Sequence, residues 1–248
     1  MPLDLPAPNQ AALLLDIDGT LLDLAATPDA VIVPDGLLDA LIRLRRHLGD
    51  ALAVITGRPL EQADALLPGV PYAAAGEHGG AIRHAPGAAV ERAALPDLPE
   101  TWLDHAAAMV TAHPGSMVER KRRGFVLHYR LAPDAGPALR RAADALIQTE
   151  ADRFQILEAS MAWEIRPRGI DKGVALERLC VHAPFAGRLP IFIGDDVTDE
   201  DAIRVARTMG GAGLRVDSAF GTPARVRAWL QHSADHFDRG ATDWPALP

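Results

Sequence analysis

The sequence predicts an α/β protein in which a parallel-sheet core is interrupted by an inserted α+β module. Two observations predict it. Short apolar runs alternate with amphipathic stretches early in the chain, and the same rhythm returns late in the chain. Between these two regions the pattern becomes β-rich, with residues alternating between two faces. The expected core is residues 1–81 plus 168–248, and the expected insert is residues 82–167.

The run AALLLDID (11–18) is short, apolar and stopped by Gly19, as a buried parallel strand should be. Residues 34–50 place Leu37, Leu38, Leu41, Ile42 and Leu44 at helical spacing, with Pro34 and Asp35 at the start and Gly49 at the stop. ALAVITG (51–57) reads as a second buried strand, 59–67 as a helix and 70–80 as a third strand. The insert then reads as a helix (98–112), strands at 116–121 and 124–131 joined by a tight Arg122–Arg123 turn, a helix (135–150), and strands at 153–160 and 161–167. In the 124–131 strand, Phe125, Leu127 and Tyr129 share one face, and Val126, His128 and Arg130 share the other. Beyond Arg168 come a helix from Asp171, a strand at 189–196, a helix from Thr198, a strand at 213–217 and a last helix near 222–231.

Composition narrows the function. The 248 residues are 48% hydrophobic, enough for one large core or two modest ones. A net charge of −8 disfavours nucleic acid, whose backbone calls for a broad basic face. No window approaches the roughly 18 apolar residues of a membrane span. The opening MPLDLPAPNQ lacks the basic and apolar regions of an export signal, and the single cysteine, Cys180, fits a reducing cytosol. A monomeric cytoplasmic protein is therefore expected. Only two of the 25 basic residues are lysine, Lys121 and Lys172. Where arginine serves as the general cation, a retained lysine suggests a place that requires a compact ammonium.

In open parallel sheets, ligands bind beyond the carboxyl ends of the strands. Those ends carry Asp16 and Asp18, then Thr56, Gly57 and Arg58, then Asp195 and Asp196, with Lys172 opening a nearby helix. Four carboxylates at two strand ends repel one another unless a cation lies among them, and oxygen-only donors point to Mg²⁺. A cation, an ammonium and a hydroxyl around one carboxylate make a site for a phosphoryl group. Taken singly, the motifs are weak. DxD recurs in metal-binding glycosyltransferases, and GDDVTDED alone could be a solvated helix N-terminus.

Together and in order, DIDGTLL, VITGR, GIDKG and GDDVTDED resemble the four signature motifs of the haloacid dehalogenase superfamily phosphatases. The resemblance implies a Rossmann-like core with an inserted cap. It makes Asp16 the nucleophile and Asp18 the acid and base, with Thr56 and Lys172 on the phosphoryl oxygens. It has Mg²⁺ held by Asp16, the Asp18 carbonyl and Asp195, with Asp196 and Asp199 acting behind them. Gly19, Thr20, Gly57 and Arg58 fall in its substrate-binding set.

The stretches AAAGEHGG, VERKRRGFVLHYR and AWEIRPRGIDKG resemble those of the trehalose-6-phosphate phosphatase family. That match implies a sugar-phosphate substrate held at its sugar by Glu119, Lys121 and Glu164, with His128, Arg130 and Glu77 as weaker candidates. Trp163 is the one tryptophan placed to act as a sugar platform. Other expectations remain open: a capped phosphatase for sucrose phosphate or mannosyl-phosphoglycerate, a phosphosugar mutase, or a non-catalytic phosphosugar sensor.

Overall fold

The computed structural model describes residues 5–25, 30–121, 124–159 and 161–248. The chain forms two compact units, one of residues 1–93 with 170–248 and one of residues 94–169. The expected Arg122–Arg123 turn lies outside the described residues.

The first unit opens with β1 (Ala11–Leu15), α1 (Leu37–His47), β2 (Leu52–Ile55), α2 (Leu60–Leu66), β3 (Ala73–Gly76), β4 (Ala81–Arg83) and β5 (Glu91–Arg92). The second unit holds α3 (Glu100–Thr111), β6 (Met117–Arg120), β7 (Phe125–His128), α4 (Gly136–Ile147), β8 (Phe154–Ala159) and β9 (Ala162–Pro167). The chain then returns through α5 (Lys172–Cys180), β10 (Leu189–Gly194), α6 (Glu200–Thr208), β11 (Ala212–Arg215), α7 (Val216–Ala219) and α8 (Pro223–Asp238). Among the described residues, no helix is long and apolar enough to cross a membrane.

The large sheet has the order β11-β10-β1-β2-β3-β4-β5. Its first five strands are parallel, and β1, β2 and β3 are buried along their whole length. Parallel strands covered on both faces show an unbroken apolar run, which is why these three were legible. On α1, Leu37, Ala40, Leu41 and Leu44 face inward, and the helix begins at Gly36 (φ 80°) rather than at Pro34 or Asp35. On the outside, Arg43 reaches Asp235 at 2.8 Å and Asp238 at 2.6 Å, tying α1 to α8.

Residues 82–92, expected to open the insert, extend this sheet instead: β4 pairs antiparallel with β3, and β5 with β4. Strands of three and two residues are too short to leave a periodic signal. Residues 216 and 217, expected to end the strand at 213–217, instead open α7 (Val216–Ala219), and α8 runs on to Asp238, past the expected 231.

The second unit has its own core. Its antiparallel sheet, β6-β7-β9-β8, turns Phe125, Leu127, Phe154 and Ile165 towards α3 and α4, where they meet Trp102, Ala106, Leu139 and Ala143. β7 ends at His128 because the chain turns at Tyr129 and Arg130, so Arg130 stands in that turn and not on the strand.

Candidate active site

Three strands of the first unit end side by side. Leu15 lies opposite Ile193 on one flank and Val54 on the other. The residues just beyond those strands, Asp16, Asp195 and Thr56, therefore arrive at one edge of the sheet. Asp16 is 3% exposed and Thr56 is fully buried, with its Oγ1 accepting from the Arg58 N–H at 3.1 Å.

Lys172 comes to the same place from the first turn of α5. That helix starts there because Asp171 accepts the Val174 N–H at 2.8 Å as its N-cap. Lys172 Nζ donates to Asp16 Oδ1 and Asp199 Oδ1, each at 2.6 Å. The other oxygen of Asp199 accepts the main-chain N–H groups of Asp195 and Asp196, each at 3.0 Å. Asp196 reciprocates, its Oδ1 accepting from the Val197 N–H at 2.7 Å within a capping box shared with Asp199. Carboxyl oxygens of Asp16, Asp195 and Asp199 lie within 4.8 Å of one another.

The electrostatics follow from burial. Loss of water pushes the Asp16 carboxyl up to about 7, with Lys172 pulling the other way and Asp199 and Asp195 adding to the rise. Asp195 is pushed up to about 6, first by burial and then by Asp199 and Asp196. At Lys172 burial works against the charge, yet Asp16 and Asp199 more than compensate and hold the ammonium above its usual value.

Three carboxylates thus face one ammonium, and all the donors are oxygen, which fits a hard divalent cation. Lys172 takes one oxygen of Asp16, and Thr20 Oγ1 donates to one of Asp195 at 3.3 Å, while both oxygens of Asp199 are engaged. That distribution favours Asp16 and Asp195 as ligands and Asp199 as their organiser. Gly19 (φ 78°) makes the approach possible, since a Cβ there would stand 2.1 Å from Asp195 Oδ2.

The Asp18 carboxylate stands outside this cluster. It forms a bidentate pair with Arg58, both contacts at 2.6 Å. Sequence reasoning brought Arg58 to the site but not this pairing. It also missed Arg215, at the end of β11, which donates to the Asp195 main-chain carbonyl at 2.9 Å and pairs with Glu200 and Asp217. In a chain so rich in arginine, nothing in the local sequence marks it out.

In the second unit, Glu119 lies opposite Val126, and Val126 opposite Glu164, so both carboxylates share the face away from α3 and α4. His128 shares that face and its Nε2 meets Glu119 Oε2 at 2.9 Å, while Lys121 forms a close ion pair with Glu119. Burial tends to raise the Glu119 carboxyl, but Lys121 and His128 outweigh it and hold the group below its usual range. Trp163 points the other way. It joins the helix-covered core, donates Nε1–H to the Gly136 carbonyl at 2.8 Å and lies under Arg140, so it is a packing residue. In the first unit, Glu77 is met by Arg92 at 3.0 Å.

A carboxylate at the end of the middle one of five parallel strands, gripped by a lysine and backed by a second acidic loop, defines a haloacid dehalogenase-like phosphatase core. Solved structures share the fold, among them the C-terminal domain of the C. albicans trehalose-6-phosphate phosphatase (TM-score 0.71, 23% identity, 92% of this chain and 93% of that one). An Aspergillus fumigatus trehalose-6-phosphate phosphatase aligns with a TM-score of 0.63 at 23% identity over the same shares. The chain belongs to the trehalose-phosphatase family, whose sequence model matches residues 14–226. It is 42% identical over 205 residues to the Sinorhizobium fredii protein named "probable trehalose-phosphate phosphatase", covering 83% of this chain and 77% of that one. It is 35% identical over 222 residues to the trehalose-6-phosphate phosphatase of Escherichia coli, covering 88% and 80%.

Proposed function

We propose that this chain is a Mg²⁺-dependent phosphatase that hydrolyses trehalose 6-phosphate to trehalose and phosphate through an aspartyl-phosphate on Asp16. The observation that carries the reading is the buried Asp16 carboxyl, held by Lys172 among two further carboxylates at the carboxyl edge of the parallel sheet.

In the first half-reaction an Asp16 oxygen attacks phosphorus in line. The bond from phosphorus to the sugar oxygen breaks, and Asp18 gives that oxygen its proton. In the second half-reaction Asp18 takes a proton from water, the water oxygen attacks phosphorus and the Asp16–phosphorus bond breaks. Asp18 has to exchange its Arg58 partner for the leaving oxygen along the way. The Thr56 hydroxyl and the Lys172 ammonium hold phosphoryl oxygens, and Gly19 and Thr20 bring main-chain N–H groups to them. Mg²⁺, held by Asp16, Asp195 and the Asp18 carbonyl, supplies when bound the positive charge that a dianionic phosphoryl group needs beside a carboxylate.

The second unit acts as the specificity cap. Glu119 and Glu164 accept hydrogen bonds from sugar hydroxyls, Lys121 donates to them, and His128 orients Glu119. Arg130, in its turn beyond β7, is the remaining candidate. The protein works as a monomer in the cytosol, where its single thiol stays reduced.

A panel of sugar phosphates assayed with Mg²⁺ and with EDTA tests the reading. Phosphate release should be fastest from trehalose 6-phosphate and should stop with EDTA. A preference for glucose 6-phosphate or sucrose 6-phosphate would reject the substrate and keep the chemistry. Unchanged turnover in EDTA would reject the cation.

A further inference from the structure

The turn that follows β3, Gly76–Gly80, has no part in the chemistry above, yet among the described residues it holds the one pair of consecutive non-glycine residues with positive φ. Glu77 and His78 are consecutive non-glycine residues with left-handed φ values of 54° and 58°. L-residues resist that conformation, and it persists only where the surroundings over-determine it.

The surroundings here are two pieces of the phosphoryl site. On one side, the Glu77 N–H donates to the Arg58 carbonyl and the His78 N–H to the Thr56 carbonyl, each at 3.0 Å. The Cε1–Nε2 side of the His78 ring lies against Gly57, where a Cβ would stand 2.8 Å from Cε1 and 2.9 Å from Nε2. A Cβ on Gly76 would likewise stand 2.8 Å from the Arg58 carbonyl oxygen. On the other side, Gly79 (φ 103°) fits against the start of α5, with its missing Cβ position 3.1 Å from the Asp171 carbonyl oxygen and 2.9 Å from Ala175 Cβ. One rigid turn therefore wedges between the loop that carries Thr56 and Arg58 and the helix start that carries Lys172.

We propose that His78 is a positioning residue: its ring, held by the strained turn, sets the separation between the Thr56–Arg58 loop and Lys172. The inference rests on the phosphatase reading and adds to it a residue that touches neither the substrate nor the reacting atoms. The strain that fixes the wedge opposes folding, so relaxing it should separate stability from rate.

The test compares wild type with His78→Gly and His78→Asn, by melting temperature and by kcat and KM for trehalose 6-phosphate and p-nitrophenyl phosphate. Glycine accepts the left-handed backbone and removes the ring. The expected result for His78→Gly is an unchanged or higher melting temperature, a kcat about tenfold lower on both substrates, and a KM for trehalose 6-phosphate within about threefold of wild type. Asparagine tolerates the same backbone and keeps a short planar group, so His78→Asn should recover part of the rate. A purely structural role would lower the melting temperature and leave kcat untouched in the folded fraction, and that result overturns the proposal. So does a wild-type kcat for His78→Gly on both substrates. A wild type inactive on both substrates rejects the phosphatase reading itself, whereas an active wild type with a fully active glycine variant rejects only the role of His78.

Discussion

Lys172 answers two carboxylates from a single nitrogen, with 2.6 Å contacts to Asp16 and Asp199. A guanidinium spreads its donors over a plane and cannot converge on both oxygens from one point. Lys172→Arg should therefore keep the charge and still lower kcat by about 10²-fold, the cost of a small misplacement at a reacting centre. Asp16→Asn, which removes the proposed nucleophile, should lower kcat by about 10³-fold or more with the fold retained by circular dichroism.

The titration of Asp16 gives a second test. Its folded value of about 7 lies above the ordinary 3.8, so the folded state holds that proton more tightly than the unfolded chain does. The resulting stabilisation is full below about pH 4 and is lost as pH rises through 7. A divalent cation has to displace that proton, and the one on Asp195, which leaves near 6. Added Mg²⁺ should thus raise the melting temperature more at pH 8 than at pH 5. Equal shifts at the two pH values would show that the cation binds elsewhere.

Among the elements, those covered on both faces were plain in the sequence, and those that finish or bend the chain were not. AALLL and LAVI could only be buried strands, and the strand ends then located Asp16, Thr56 and Asp195. β4 and β5 escaped because three or two residues carry no period, and α7 escaped because it is a single helical turn at the end of β11. The Asp18–Arg58 pair and the hold of Arg215 on Asp195 were invisible for a different reason. Each depends on how loops from separate strands approach one another, which sequence spacing does not encode. The same contrast between interior and rim predicts stability. Phe192→Ala, in the fully buried middle of β10, should cost about 3–5 kcal/mol in urea unfolding. Arg43→Ala, which breaks the ion pairs between α1 and α8, should cost about 1 kcal/mol or less.

For the whole molecule, each unit packs around its own hydrophobic core, so under the proposed function reaction and recognition would sit in units able to vary independently. The sequence marks a change from parallel to alternating patterns at residue 82, whereas the compact units divide at residues 93 and 94, beyond β4 and β5. The combined replacement Glu119→Gln, Lys121→Met and Glu164→Gln should erase the preference for trehalose 6-phosphate. Hydrolysis of p-nitrophenyl phosphate, which has no sugar to recognise, should survive within about threefold, an order-of-magnitude allowance for side chains outside the reacting centre. Loss of both activities would place these three residues in the chemistry.

The strand order has a consequence for synthesis. β1 lies between β2 and β10, so β1 is made well before the strand that covers its other flank. While the ribosome is still working through the second unit, one flank of Ala11–Leu15 is a bare row of amides and carbonyls on a wholly apolar ribbon. That is the kind of edge that invites aggregation and chaperone capture. The Asp16 carboxyl that follows it, the proposed nucleophile, lacks its partners then, because Lys172, Asp195 and Asp199 have not yet been translated. A nascent chain of this protein is thus at its stickiest and least reactive together, and the arrival of β10 ends both conditions in one step.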